Sequence, residues 1–545
     1  MNRSIASGVL SVVSAKVIVL LVTALSTPLL YRLLGPSGFG DYAFVLSVFA
    51  IYMIFVSSGI TDGVRKYLAE DRKTDNWSGY VVGFYLRLAI LFAGVGALLL
   101  LVAVYFELVS LAFGPEYQLY FVVLAVLVIT AQFRDYARKT LMGFGLERYS
   151  EPLKVLDTVG FVVVAIPLVY VGFGVVGALA GHLIGSLLVG AIGLVLIHRR
   201  ESLACIRSKP PARFPRREML TFNSMSIVLV FLLMSLYHID IVMLQQFRPS
   251  SDVGNYRAAL TLAEFLWFVP LALQTVYVHS TSELWSQNRH DKISSLASRT
   301  TRYTFLLTAV MAVGLAALAD VAVPIYFGSD ATPAIAPLLL LLPGALGFAL
   351  ARPVLAVSQG NGTLRYPVAA TGVAAGINVI LNVLLIPRYG MHGAAIATSV
   401  GYGSMFVFHV WSARLVGFDP LADARLSRAI AATGLAGLPI FALAAAITNP
   451  WVALIVVPPV GLGIFLAFAI LMGALDLAEP FTILSEFPDP VGSRAKTIEC
   501  RLEGTRGVSS PPSVLQGLLF AVGLSLFVAG LVLGFIGPWL NGLLP

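Results

Sequence analysis

Charge is what this chain has least of. Only 12% of its 545 residues are Asp, Glu, Lys or Arg, against roughly a quarter in a soluble domain. Hydrophobic residues make up 58%, and the mean hydropathy is +0.88. This excludes the string of soluble domains that length alone would suggest and predicts an integral membrane protein. Cysteine is nearly absent. Cys205 and Cys500 both fall in segments read as cytoplasmic, so no structural disulfide is expected. No G-x-x-x-x-G-K-[ST] stretch occurs, which excludes an ATP-binding loop of that type. Paired Cys or His at metal-ligand spacing is also missing, and neither a metal nor another cofactor is expected. No large extracytoplasmic loop carries paired acids, as a membrane glycosyltransferase or polymerase would need. Any driving force must then come from an ion gradient, the membrane potential or a substrate's own gradient.

Long apolar runs are what the chain has instead. A helix needs about 20 residues to cross the hydrocarbon core. Segments near 8–31, 42–64, 79–106, 117–138, 151–171, 175–198, 220–247, 256–280, 303–326, 334–357, 364–386, 393–416, 428–448 and 451–475 meet that length, with a fifteenth near 514–537. In lipid each backbone group must be satisfied within its own segment, so helices are the economical form. The run after Arg3 continues to about Leu30, too long for a cleaved signal core, and reads as the first membrane helix. Alternate loops carry the basic residues: Arg65 and Arg72, Arg138 and Lys154, Arg199 to Arg217, Arg289 to Arg302, Arg414 to Arg428, and Arg494 to Arg506. By the positive-inside rule these loops and the N-terminus are cytoplasmic, and the net charge of +8 reflects them rather than nucleic-acid binding. Residues 281–302 suit a helix lying on the inner membrane face. Trp77, Trp411, Trp451 and Trp539 fit interfacial belts.

Two short patterns occur twice. Pro36-Ser37-Gly38-Phe39-Gly40-Asp41-Tyr42 is answered by Pro249-Ser250-Ser251-Asp252-Val253-Gly254-Asn255-Tyr256, one residue longer. Val171-Gly172-Phe173-Gly174 is answered by Pro387-Arg388-Tyr389-Gly390. Pro36 and Pro249 are 213 residues apart and Gly174 and Gly390 are 216 apart. Two matches in the same order at nearly one offset indicate a duplicated block, roughly 1–200 and 215–420, as in transporters built from two like halves. The predicted organisation is an all-α polytopic protein. It has a six-helix lobe at 1–200, a cytoplasmic linker at 201–218, a second six-helix lobe at 219–420, helices 13 and 14 at 421–476, a cytoplasmic linker at 477–513 and an extra transmembrane helix at 514–545.

The stretch Leu33-Leu34-Gly35-Pro36-x-x-Phe39-Gly40-x-Tyr42, then Gly63-Val64-Arg65-Lys66-Tyr67-Leu68-Ala69-Glu70, resembles the polysaccharide-biosynthesis flippases. These belong to the multidrug/oligosaccharidyl-lipid/polysaccharide exporter superfamily. Tyr389-Gly390-Met391-His392-Gly393-Ala394-Ala395 is similar to that family's pattern after its eleventh helix. The resemblance covers about residues 1–475. It implies two facing six-helix lobes, two further helices and transport of a lipid-linked sugar. The segment beyond about 477 departs from the fourteen-helix pattern.

Charges inside spans are costly and point to function. Lys16, about 12 Å into the first helix by helical rise, would meet the phosphate of a lipid-linked glycan, or else snorkel to the inner surface. A cation in the first helix also resembles the flippase branch, where drug-exporting relatives tend to have an acid. Arg87, early in the third helix, carries the same two readings. Glu264 lies near mid-bilayer in the eighth helix and is a candidate proton or cation site, or a bundle salt bridge. His238 and Asp240 are two apart in the seventh helix and point to different faces, so Asp240 is taken as the cavity residue and His238 as a satisfied bundle histidine. Asp62 with Arg65, and Arg134 with Asp135, are candidate gating pairs at the inner mouth, or interfacial ion pairs. Asn378 and Asn382 share a helix face and read as helix-to-helix glue.

These residues point to a secondary-type flippase for lipid-linked oligosaccharide on a polyprenyl phosphate carrier, working by alternating access in a prokaryotic cytoplasmic membrane. Its partners would be the lipid-linked glycan, membrane lipids, a coupling H+ or Na+, and glycan-assembly enzymes. The alternatives are a cation-coupled exporter of drugs or metabolites, a membrane glycan polymerase or glycosyltransferase, and a non-transporting scaffold.

Overall fold

The computed structural model describes residues 2–476 except 71, 73, 74, 208, 209, 212, 213 and 362–364, together with 492, 493, 496 and 497. The linker at 477–513 (save those four residues) and the helix at 514–545 lie outside the described residues, as do Cys500 and Trp539.

The described chain is all-α. Eleven helices are long and apolar enough to cross a membrane, and three of these run over 56, 54 and 52 residues. At about 1.5 Å per residue each of the three would reach roughly 80 Å, far beyond a core of about 30 Å, so each accounts for two crossings. The breaks fall at glycines with left-handed backbone: Gly35 at φ 70°, Gly172 and Gly174 at φ 103° and 52°, and Gly390 at φ 56°. Fourteen crossings result: α1 (2–34), α2 (36–69), α3 (Trp77–Tyr105), α4 (Tyr117–Gly143), α5 (147–171), α6 (Gly174–Arg200), α7 (Arg216–Phe247), α8 (250–286, through a 3-10 turn at Phe265–Trp267), α9 (His290–Ala317), α10 (Ile335–Gly360), α11 (365–389), α12 (391–416), α13 (Leu426–Ala446) and α14 (Pro450–Leu471). Gly174 and Gly390, the pair matched by offset, share one rare backbone geometry: φ 52°, ψ −136° and φ 56°, ψ −131°. Only glycine reaches that region without strain.

Large apolar side chains stand exposed along these helices, among them Val163 (64%), Ile380 (60%) and Ile455 (72%). Water would not tolerate so much open hydrocarbon, and lipid does.

By packing, the chain groups into two compact units, Met1–Ala258 with Tyr326–Ala331 and Val379–Ala394, and Ala259–Ile325 with Thr332–Asn378 and Ala395 onward. In the first unit a core of Tyr67, Trp77, Val81, Tyr85, Tyr136 and Phe214 joins α2, α3, α4 and the linker. In the second, Phe305, Leu350, Ala432 and Val457 join α9, α10, α13 and α14.

Two local expectations are corrected. Trp77 is not in an interfacial belt: it is buried and donates Nε1–H to the Tyr67 carbonyl at 2.8 Å, because its ring completes the core under Phe214. Trp411 and Trp451 do stand exposed. Residues 281–302 form no surface helix. They are the end of α8, a turn and the start of α9, held by Trp285 donating to the Val357 carbonyl at 3.0 Å. The described part of the 201–218 linker docks on α3. Its turn Leu203–Arg207 sits against Gly83 of α3, where any Cβ would strike the Cys205 carbonyl.

Candidate functional site

The repeated patterns meet each other inside the first unit. The Gly35 break sets Pro36 at the head of α2, and Pro249 stands just before α8. Gly40 and Gly254 then pack backbone against backbone. A Cβ on Gly40 would lie 2.9 Å from the Gly254 nitrogen and collide with the Ser250 carbonyl. One on Gly254 would lie 3.1 Å from the Gly40 nitrogen and collide with the Pro36 carbonyl. Polar contacts border this seam. The Tyr117 hydroxyl donates to Asp41, and Gln245 Nε2 donates to the Tyr117 oxygen at 2.8 Å and to Ser250 Oγ at 3.0 Å. Tyr31 donates to Asn255 Oδ1 at 2.7 Å. Arg248 donates to the Pro387 and Arg388 carbonyls at 3.4 and 3.3 Å, beside the bare backbone of Gly390.

A second feature of the same unit is a group of charges within apolar helices. α4 contributes Arg134, Asp135, Arg138 and Lys139. α5 contributes Glu151, Lys154 and Asp157, spaced by three so that they share a face. Arg134 is bound to Asp135 at 2.9 Å, to Asp157 at 3.6 Å and to Ser186 Oγ of α6 at 2.9 Å. Lys154 reaches Asp157 at 3.2 Å, and Arg138 reaches Glu151 at 3.9 Å. Lys139 reaches Asp62 at 3.8 Å, and Ser226 of α7 donates to Asp62 at 2.6 Å. Arg134 lies about 13 Å inside the Gly143 end of its helix by helical rise. Charges at that depth must be paired or wetted, and these are paired. Side-chain exposure is 17% for Arg134, 29% for Asp135 and 40% for Lys154, so protein covers the group only in part and leaves a partly open recess. Ion pairs in a partly open cluster can exchange partners, and Arg134 presents a guanidinium fork suited to phosphate.

The sequence-selected residues distribute as follows. Arg134 and Asp135 are central to the recess, and Asp62 borders it with Lys139 as its ion partner. Arg65 is exposed at the end of α2. Lys16 is exposed on α1 and feels the charge of Glu151. Arg87 is half-buried and donates to the Ile206 carbonyl at 3.2 Å, which places it on the docked linker. Asp240 is fully buried and does not line the recess. It accepts from the Tyr256 hydroxyl and, at 2.8 Å, from the Ile241 N–H, because α7 and α8 close over it. His238, half-buried, lies 3.3 Å from Ser47 Oγ. Glu264 belongs to the second unit, at the last turn before the 3-10 segment of α8. Asn378 and Asn382 are fully buried, and Asn378 donates to Thr398 Oγ1 at 3.4 Å.

Three charged residues escaped the sequence reading. Asp157 stands inside an apolar span, the signal that singled out Lys16. Lys154 was counted only as a basic loop residue. Arg257 acts electrostatically on both Tyr42 and His238 within the first unit.

Comparison with known proteins agrees on the architecture. The family described as polysaccharide biosynthesis protein matches residues 5–273, and the family described as lipid II flippase MurJ matches residues 152–460. A probable low-salt glycan biosynthesis flippase, Agl15 of Haloferax volcanii, is 24% identical over 385 residues, 69% of this chain and 77% of its own. The uncharacterized membrane protein MJ1068 of Methanocaldococcus jannaschii is 23% identical over 400 residues, 68% and 76% of the two chains. Among solved structures, the lipid II flippase MurJ in its inward closed conformation superposes with a TM-score of 0.63 at 14% identity, covering 85% of this chain and 98% of that one. An inward-facing multidrug resistance MATE transporter superposes at 0.60 and 17% identity, covering 74% and 98%. At such identities the likeness is one of fold.

Proposed function

This chain belongs to the lipid II flippase MurJ family, and on that premise we propose how it moves a lipid-linked oligosaccharide across the cytoplasmic membrane. The observation that carries the proposal is the partly open ion-pair cluster of Arg134, Asp135, Lys154 and Asp157 set in apolar helices of the first unit. A sugar carried on a polyprenyl phosphate has one group that pays heavily to enter lipid, the phosphate with its hydrophilic glycan. The recess provides cations whose present partners are carboxylates. An incoming phosphate would take Arg134 and Lys154 from Asp157, with Lys16 meeting it near the inner surface, while the prenyl tail stays in lipid. The carboxylates would reclaim the cations on release, so the cations are paired both with and without substrate.

Movement would follow alternating access, with the seam at Gly40 and Gly254 as the outer closure. The N-terminus would be cytoplasmic, as the basic loops imply. Asp240 and Glu264 remain the proposed coupling groups for H+ or Na+. Glycan-assembly enzymes would supply and consume the substrate, and the chain itself would make or break no covalent bond.

The test is reconstitution in vesicles with a lipid-linked oligosaccharide, read by the exposure of its sugar to an external lectin. Wild-type protein should expose it, and the double change Arg134→Ala with Lys154→Ala should slow exposure by about tenfold or more. Wild-type vesicles that leave the sugar lipid in place and carry organic cations under an imposed proton or sodium gradient would overturn the reading in favour of an exporter.

A further inference from the structure

Above the charged recess lies a flat aromatic surface. The Tyr42 hydroxyl and His182 Nε2 are 2.9 Å apart, and the two ring planes differ by only 13°. With centroids 6.1 Å apart, the near-parallel rings are linked through their polar edges and form a paired aromatic plate. Phe161 backs it, stacked on His182 with centroids 4.0 Å apart and planes within 18°.

The local sequence explains how the rings come so close. Gly177, Gly181 and Gly185 repeat every four residues on α6 and let that helix lie directly on α5. A Cβ on Gly181 would stand 2.9 Å from the Phe161 carbonyl oxygen, and one on Gly185 would stand 3.3 Å from the Phe161 nitrogen.

The plate is not sealed into the core. Tyr42 is buried, but His182 and Phe161 are only half-buried. Ser186, one turn beyond His182 on α6, holds Arg134 at 2.9 Å, so the plate adjoins the charged recess, and Arg257 acts electrostatically on Tyr42. Depth follows from helical rise. His182 lies about 12 Å from the outer end of α6, and Arg134 about 13 Å from the inner end of α4. In a core of about 30 Å the plate is thus several Å further toward the outside than the phosphate-binding cations.

We propose that Tyr42, His182 and Phe161 form the platform for the first sugar ring of the lipid-linked substrate. This rests on the flippase reading above and adds the recognition of the saccharide to it. A pyranose has an apolar C–H face and a rim of hydroxyls. The face would lie on the plate, against the negative face of the ring systems. The rim would meet the Arg134, Asp157 and Lys154 group on one side and Arg257 on the other. With the phosphate held at the recess, the first sugar is the part of the substrate that reaches this depth.

The test uses the full-length protein in vesicles and two probes, a lipid-linked disaccharide and polyprenyl phosphate bearing no sugar. Phe161→Leu keeps bulk and removes the aromatic face. Tyr42→Phe keeps the ring and removes the hydroxyl that aligns His182. Both should raise the disaccharide concentration for half-maximal flipping by about tenfold, the loss of a contact worth about 1.4 kcal/mol. The concentration of polyprenyl phosphate that half-inhibits flipping should stay within about twofold of wild type. Equal shifts for both probes, or none for either, would overturn the platform while leaving the flippase reading intact. Wild-type protein that flips no lipid-linked sugar would overturn both.

Discussion

Gly40 and Gly254 touch through their main chains, each standing where the other leaves no room for a side chain. They occupy matching places in the two copies of the repeated pattern, so the duplicated segment is in contact with itself. Substituting Val at either should overpack the seam at a cost of about 1–3 kcal/mol, and Ala should give a smaller effect of the same sign. A cysteine placed at Ser250 reports the consequence. Its labelling by a membrane-impermeant maleimide from the outside should rise at least about fivefold in Gly40→Val or Gly254→Val. Unchanged labelling would mean that the seam is not the outer closure.

The hydroxyl of Tyr117 holds the border of that seam, donating to Asp41 while accepting from Gln245 at 2.8 Å. Tyr117→Phe removes one oxygen from Asp41, from Gln245 and from Ser250 Oγ at 3.4 Å. Leaving such groups unsatisfied costs about 1–3 kcal/mol, which should appear as a lower unfolding temperature in detergent. Adding Asp41→Asn should recover part of that loss, because an amide left without the tyrosine costs less than a carboxylate. Additive losses in the double variant would show that Tyr117 and Asp41 act independently.

How far this was legible in the sequence depends on the kind of force involved. The crossings are legible because apolar length is a local property, and the breaks at Gly35, Gly174 and Gly390 are legible because only glycine accepts their backbone. Arg134 and Asp135 stand out as charges near a helix end. Asp157 and Lys154 become meaningful only when α5 is laid against α4, since pairing between helices depends on rotation about each axis, which spacing within one helix does not set. Arg87 illustrates the limit. Its depth suggested phosphate or headgroup, and its actual partner, the Ile206 carbonyl, comes from a linker more than a hundred residues later. Asp240 is similar: its burial is decided by Tyr256 on the next helix.

The docked linker makes a reporter of Cys205. Burial raises its thiol above the ordinary value, and it lies in the turn that Arg87 holds. A raised pKa keeps the thiol protonated at neutral pH, so alkylation should be slow there and quicken as pH rises. In a Cys500→Ser background, Arg87→Ala should speed labelling of Cys205 by about tenfold or more, the loss of one hydrogen bond from a charged donor. Equal rates in the two proteins would leave Arg87 without a part in holding the linker.

Asp240 and Tyr256 give the sharpest separation of structure from coupling. Asp240 is fully buried and takes the Tyr256 hydroxyl and its neighbour's N–H. Asp240→Asn keeps an oxygen for the Ile241 N–H and turns its NH2 toward the Tyr256 oxygen, which can accept from it, so the fold should tolerate it, with a loss within about 1 kcal/mol. Tyr256→Phe instead withdraws a donor from a buried carboxylate and should cost about 1–3 kcal/mol. Transport sorts the two differently. If Asp240 carries the coupling proton or cation, Asp240→Asn abolishes the response of flipping to an imposed gradient while the protein stays folded. Tyr256→Phe lowers stability and keeps that response. Gradient-dependent flipping that survives in Asp240→Asn would remove Asp240 from the coupling step and leave it as the hydrogen-bond anchor between α7 and α8.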